Sequence, residues 1–319
     1  MIVAEKRSPA RATQGGARVS HSGMGRAGNA EGIGGHPDTQ RARPHLKGQG
    51  MQKNRIRQLW AEGRPVLNGW CSIGSPFTAE IMAAQGYDAL TIDIQHGALD
   101  YSAALPMIQA LRGTPVTALA RVPWLDPAAI MKALDAGAMG IICPMINSRA
   151  DAEEFVSYLR YPPLGQRSYG PTRAAFGLPG YNVADANREI LALAMIETRD
   201  GVANLEEIAA TPGLDGLYVG PADLTLGTQN GRLPPGFDRE EPELVEILHG
   251  IAEASRRNGI RACLHCGTPD YAAKALDWGY SLVTISGDAR LLAAAAGSSA
   301  GRFRELTGAP PPGTREGGA

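Results

Sequence analysis

From Val66 to Ser286 the chain alternates short apolar runs with segments whose apolar residues recur every three or four positions. The runs fit strands buried on both faces, and the periodic segments fit amphipathic helices. Strands are expected near Val66–Ile73, Ala89–Asp93, Val116–Arg121, Gly140–Met145, Leu191–Glu197, Gly216–Val219, Ala262–His265 and Leu282–Ser286. Helices are expected at Thr78–Gln85, Ser102–Leu111, Pro127–Ala136, Ala150–Tyr158, Val202–Ala209, Pro242–Arg257 and Tyr271–Trp278, with an eighth near Arg290 to Leu306. Several stop at a glycine, Gly137 and Gly279 among them, where a left-handed cap is wanted. Regular strand–helix alternation is the mark of a parallel sheet, and eight repeats fit a closed (β/α)8 barrel, the TIM barrel, better than an open doubly wound sheet. That domain runs from Met51 to Leu306. One connection is long: Tyr161 to Asn187, carrying Arg167 and Arg173. It reads as a loop packed over something acidic, a neighbouring subunit included.

The first fifty residues are different material. They hold ten Gly, eight Lys or Arg against three Asp or Glu, one Leu and no aromatic residue. Too little apolar surface is present to offset the entropy of ordering, so residues 1–50 are expected to be a disordered extension. An over-early start, with Met51 as the true beginning, would leave the same pattern. A transit peptide or a basic tail touching RNA or DNA are weaker readings, since no amphipathic helical period is present. Residues 307–319 form a second Gly/Pro-rich tail.

Composition narrows the setting. A hydrophobic fraction of 44% supplies a large core, and a formal net charge of −1 implies no bulk attraction to nucleic acid or membrane. No apolar run approaches the ~18 residues of a membrane span. Cys71, Cys143, Cys263 and Cys266 all lie in apolar strand-like runs, which points to a reducing cytoplasm rather than a disulfide framework.

In a barrel, active-site groups stand at the C-terminal ends of strands. Strand two ends in Asp93-Ile94-Gln95-His96-Gly97, strand three in Arg121, strand five in Glu197 and strand six in Gly220-Pro221-Ala222-Asp223. Glu197 and Asp223 top neighbouring strands, ~4.8 Å apart, and can converge on one ion. Two hard oxygen donors favour Mg2+ or Mn2+; the plain alternative is that each acid caps a helix or pairs with a surface cation. His96 is a candidate base near neutral pH, although a lone histidine is more often structural. Arg121 ends an apolar strand and needs an anion, either a substrate oxygen or one of the metal-binding acids. Cys263-Leu264-His265-Cys266 reads as barrel core, with Cys263 and His265 on one face and Cys266 on the other. No GxGxxG at a strand–helix turn, GxxxxGK[ST] or GxSxG element is present.

With TIDIQHG, ALARVPW, DPAAIMKALDAGAMGIICPMI, RYPPLGQRSYGP, MIETRDGVANLEEI and GLDGLYVGPADL in order from Ala89 to Leu224, the chain resembles the HpcH/HpaI aldolases. The resemblance implies a class II aldolase that uses a divalent metal ion (Mg2+, Mn2+ or Co2+) to cleave a 4-hydroxy-2-oxo acid to pyruvate and an aldehyde. It implies Glu197 and Asp223 as metal ligands, His96 as general base and Arg121 as transition-state stabiliser. Asp135 would support the histidine of a neighbouring subunit in a homo-oligomer, a hexamer. Ala222 would contact substrate through its backbone. Two positions depart from the pattern of some members: Met195 replaces a substrate-holding Gln, and Gln95 replaces a Glu. A citramalyl-CoA-type or oxaloacetate-type lyase, or a barrel that binds a keto acid without turning it over, are the competing readings. No Schiff-base lysine is implied, since Lys132 and Lys274 fall in helices.

Overall fold

The eight apolar runs become strands β1 (Val66–Cys71), β2 (Ala89–Asp93), β3 (Thr117–Arg121), β4 (Gly140–Cys143), β5 (Leu191–Met195), β6 (Gly216–Val219), β7 (Arg261–Cys266) and β8 (Leu282–Ile285). All neighbours pair in parallel, and β8 returns to β1 with Val66 opposite Leu282 and Asn68 opposite Thr284, closing the barrel. This is the expected (β/α)8 architecture. The computed structural model describes residues 50–310, so the extension up to residue 49 and the end of the C-terminal tail lie outside the described residues.

Alternation along the strands sorts side chains into two cores. Trp70, Leu119, Ile142, Leu193, Met195, Tyr218 and Cys263 point into the barrel. Leu90, Ile92, Ile141, Ala194, Val219, Leu264 and Cys266 pack outward beneath the helices. The two cysteines therefore part as the alternation required. A short helix, Arg55–Ala61, places Ile56, Leu59 and Trp60 in the inner cluster. With seven residues it is too short to show a period, and the sequence reading missed it.

Four strands stop earlier than expected. β1, β4, β5 and β8 end before Ile73, Met145, Glu197 and Ser286, and two of these residues, Met145 and Ser286, take left-handed backbones with φ 58° and 54°. The helix expected over 202–209 is two, Arg199–Ala203 and Leu205–Ala209, divided at Asn204. The long connection also differs from expectation. It carries the short helices Ala174–Gly177 and Val183–Glu189, and the acid it covers belongs to the same chain: Arg167 Nη2 donates to Asp135 Oδ1 at 2.8 Å. Arg173 Nη1 meanwhile donates to the Ala136 carbonyl at 2.7 Å, satisfying the C-terminal end of the helix Pro127–Ala136. The final helix, Asp288–Thr307, buries only Asp288. Among the described residues no helix is long and apolar enough to cross a membrane.

Candidate active site

The C-terminal strand ends open on a cavity of about 340 Å³ that brings together Asp93, His96, Arg121, Met195, Ala222 and Asp223. Asp93 organises one side of it. Its carboxylate accepts Arg121 Nε at 2.9 Å and Nη2 at 2.7 Å, and also Trp70 Nε1 at 3.1 Å. The backbone N–H groups of Gln95 and His96 donate to the same acid, each at 3.2 Å, which bends the chain so that His96 stands at the cavity. Burial pushes the Asp93 carboxyl up, but the hydrogen bonds and charge of Arg121 outweigh it and hold the group below the usual range. An anion for Arg121 that the sequence reading did not name is thus present in the chain itself, Asp93. Nε and Nη2 are engaged, and Nη1 has no hydrogen-bond partner among the described residues. The guanidinium also lies 4.7 Å from the Trp70 ring centre, fixing its plane.

Asp223 lines the other side of the cavity; Glu197 does not line it, but it adjoins the lining residue Gly220 and feels the charge of Asp223. Glu197 is 3% exposed, and its Oε1 accepts the Met145 N–H at 2.8 Å. Burial, then the nearby charge of Asp223, pushes its pKa up to about 7, against the Met145 hydrogen bond and Arg121. A buried carboxylate beside another carboxylate is the environment that a cation relieves. Gly220 leaves room for one: a Cβ there would come within 2.8 Å of Glu197 Oε2. Among the described residues no group of three or more His, Cys, Asp or Glu gathers as a metal cage. Two carboxylates with open space suit a hard divalent ion whose remaining positions go to water and substrate oxygens. Asp223 sits in the first turn of the helix Pro221–Gln229, whose cap, Gly220, supplies no side-chain hydrogen bond. The first-turn N–H groups there, Ala222 included, are available to an anion at the cavity.

The remaining residues stand as follows. Met195 lines the cavity at 1% exposure, and the Gln95 Oε1 is buried without a hydrogen-bond partner. Asp135 does not reach the cavity of its own barrel; it lies in the last turn of its helix, paired with Arg167. Neither Lys132 nor Lys274 lines the cavity. Sequence reasoning missed a whole wall: Trp70, Phe237, His265, Ser286 and Arg290. His265, assigned to barrel core, sits at the mouth between Trp70 and Phe237, with ring centres 4.7 and 4.9 Å away. Burial, then the charge of Arg121, lowers its pKa to about 3, so it is neutral at physiological pH. Its place beyond Cys263 on the inward face was the available signal, since the last inward residue of a barrel strand faces the mouth.

Fold and cavity together define a (β/α)8 barrel whose C-terminal rim gathers carboxylates, a histidine and an arginine, the face on which barrel enzymes carry their active sites. Known proteins narrow that class. A family model described as HpcH/HpaI aldolase/citrate lyase matches residues 69–295, and the chain belongs to that family. It is 40% identical over 243 residues to a hydroxypyruvate/pyruvate aldolase of Rhizorhabdus wittichii, covering 76% of this chain and 96% of the relative. It is 29% identical to a 5-keto-4-deoxy-D-glucarate aldolase of Klebsiella pneumoniae, covering 79% and 97%. An HpcH/HpaI aldolase/citrate lyase family protein of Burkholderia cenocepacia superposes with a TM-score of 0.72 at 31% identity, over 79% of this chain and 100% of that one.

Proposed function

We propose that this aldolase reversibly cleaves a 4-hydroxy-2-oxo acid to an aldehyde and pyruvate, or the hydroxypyruvate named in its relatives. Glu197 and Asp223 would hold the divalent ion, Mg2+, Mn2+ or Co2+, and His96, Arg121 and Ala222 would serve the substrate. The observation that carries this reading is the buried Glu197 beside Asp223, with its pKa raised and the space over Gly220 left open.

When bound, a divalent ion supplies Lewis-acid polarisation of the substrate's carboxylate and 2-oxo oxygens. The N–H groups at the start of the helix Pro221–Gln229 orient that carboxylate. His96 accepts the proton of the 4-hydroxyl as the C3–C4 bond breaks; the electron pair of that bond stays with the pyruvate half, which takes a proton at C3. Arg121 offers Nη1 to the oxygen on which negative charge grows, and its grip on Asp93 keeps it from swinging away. The alternative of a large CoA thioester finds less support, because Arg290 is the only cation besides Arg121 among the cavity's lining residues. A barrel that merely binds a keto acid has no need of His96 and Arg121 together.

The working enzyme on this reading is a homo-oligomer, a hexamer, in which Asp135 reaches the partner's histidine. Its position off its own cavity supports this. So does the last helix. An apolar groove of Leu67, Ala272, Leu276, Val283 and Ile285 lies open on the outer side of β1 and β8, where an eighth barrel helix would pack. The chain's own helix Asp288–Thr307 stands exposed instead, with Leu292, Phe303 and Leu306 at 63, 63 and 68% exposure. A second copy supplies a helix of matching character. Four buried, unpaired cysteines accord with a cytoplasmic setting. Residues 51–306 form the catalytic barrel, with the flanking segments outside its chemistry.

The deciding experiment is pyruvate release from a panel of 4-hydroxy-2-oxo acids, with and without EDTA. Activity should vanish with chelation and return with Mn2+. Glu197→Ala and Asp223→Ala should each abolish it while the barrel melts as before. Full activity after complete metal removal, or in both variants, overturns the mechanism.

A further inference from the structure

A second cavity lies at the other end of the barrel. It holds about 260 Å³ and opens at the N-terminal ends of β3 and β4, where Val116 and Met139 lead into the strands. Arg121, at the far end of β3, belongs to the mouth. Lys53, Arg112 and Arg173 line this second cavity, and no Asp or Glu does. Lys53 has an acid of its own, Glu189 at 2.9 Å. Neither arginine has a carboxylate within ion-pair distance among the described residues. Of the two arginines of the long connection expected to cover an acid, Arg167 meets Asp135 and Arg173 meets none. One use of Arg173 is structural: Nη1 donates to the Ala136 carbonyl at 2.7 Å, a cation at a helix C-terminus. That leaves Nε and Nη2 without a hydrogen-bond partner among the described residues. Two glycines shape the chain around the guanidinium. A Cβ at Gly137 would collide with Nη1, and one at Gly177 would come within 2.7 Å of Cζ. Gly177 lies in a short helix, with no positive φ to require a glycine there. Burial, then the charge of Arg112, pulls the Arg173 pKa below its ordinary value. Cations gathered without an acid are relieved by an anion.

We propose that this cavity is a phosphate-binding site, in which Arg112 and Arg173, with Lys53 beside them, hold free phosphate or the phosphate group of a small monoester. Phosphate suits the arrangement better than a single carboxylate. It carries about −1.5 to −2 charge at neutral pH and presents three oxygens to two guanidinium forks, whereas a carboxylate fills one fork. The chain's own leading segment is no substitute for that anion, since residues 1–50 carry eight Lys or Arg against three Asp or Glu. No residue of the mouth takes part, so the site stands whether or not the aldol reading does.

Calorimetric titration of the full-length protein with inorganic phosphate, glycerol 3-phosphate and succinate reads the site directly. Wild type should bind a phosphate saturably, and succinate at least about 10-fold more weakly. Whichever phosphate binds more tightly tells the free ion from the ester. Arg112→Gln should raise the Kd of that phosphate by about 10- to 100-fold, the range of a charge-assisted contact. Arg112 is exposed and makes no side-chain hydrogen bond or ion pair among the described residues, so its replacement does not threaten the fold. Arg173→Lys keeps the charge without the planar fork and should weaken binding as well. Arg290→Met, a change at the mouth, should leave the Kd unaltered. No saturable binding of either phosphate in wild type, or succinate bound equally well, overturns the inference. So does binding that is lost in Arg290→Met and kept in Arg112→Gln, which would place the phosphate at the mouth. A smaller mass for Arg112→Gln by light scattering would show that a partner's acid fills the cavity, and overturns it too.

Discussion

Asp93 accepts five hydrogen bonds, two from Arg121, one from Trp70 and two from backbone N–H groups. A carboxylate so engaged is a positioning group: it sets both the histidine and the arginine of the proposed chemistry. In Asp93→Asn the almost fully buried Arg121 loses its counter-ion, a defect that costs roughly 3–5 kcal/mol when one partner of a buried pair is removed. Both Tm and kcat should therefore fall, and an Asp93→Asn enzyme with wild-type Tm would show that the pair is not structural. His265 makes a pH prediction. Its folded pKa, about 3, lies below the unfolded value of 6.5. Between those values the unfolded chain binds the extra proton, so this residue's contribution to stability is full above pH 6.5 and is lost as pH falls toward 3. His265→Phe should melt with a flatter dependence on pH across that window, and an unchanged slope would refute the assignment. At this scale the sequence was informative where a polar residue interrupts an apolar run: Asp93, His96, Arg121, Glu197 and Asp223 stand out. Trp70, Phe237 and Arg290 do not, because an aromatic in a strand or an arginine in a helix carries no sign of which cavity it faces.

The elements matter through where they stop. β4 and β5 end two residues short of the apolar runs that predicted them, and those two residues do the positioning: Met145 takes φ 58° and turns its N–H to Glu197. Hydrophobic pattern locates strands but is blind to a change of sign in φ, so the existence of each strand was legible and its functional end was not. The glycine opening the sixth βα turn is another such point. A methyl group at Gly220 would come within 2.8 Å of both Glu197 Oε2 and Met195 Cε. Gly220→Ala should push the carboxylate aside and raise the Mn2+ dissociation constant by about 10- to 100-fold, the effect typical of disturbing a ligand's surroundings. Calorimetric titration of Mn2+ into the apo-enzyme reads this directly, and unaltered affinity would show that Glu197 does not bind the ion in that position.

For the whole molecule the eighth helix is the open question, because the strand–helix count anticipated it and packing did not follow. Its sequence is Ala-, Gly- and Ser-rich from Ala293 to Gly301, and Leu292, Ala296, Ser299, Phe303 and Leu306 recur at spacings of four and three. That period makes one narrow apolar stripe, and small residues beside it let another surface approach closely. A helix of twenty residues spans ~30 Å, long enough to cover the groove over β1 and β8. Exchanged between two copies, the helix would be buried twice, which brings the contact toward the ~1,200 Å² of a stable interface. A lone chain would leave both the stripe and the groove in water. The double variant Leu292→Glu, Phe303→Glu places two charges in that stripe without touching the cavity or the barrel core. It should elute and scatter light as a smaller species than wild type at the same concentration, with far-UV circular dichroism preserved. If Asp135 acts across the same assembly, the smaller species should also lose turnover while still binding Mn2+. A variant that keeps the wild-type mass would show that this helix is not the element that joins the copies.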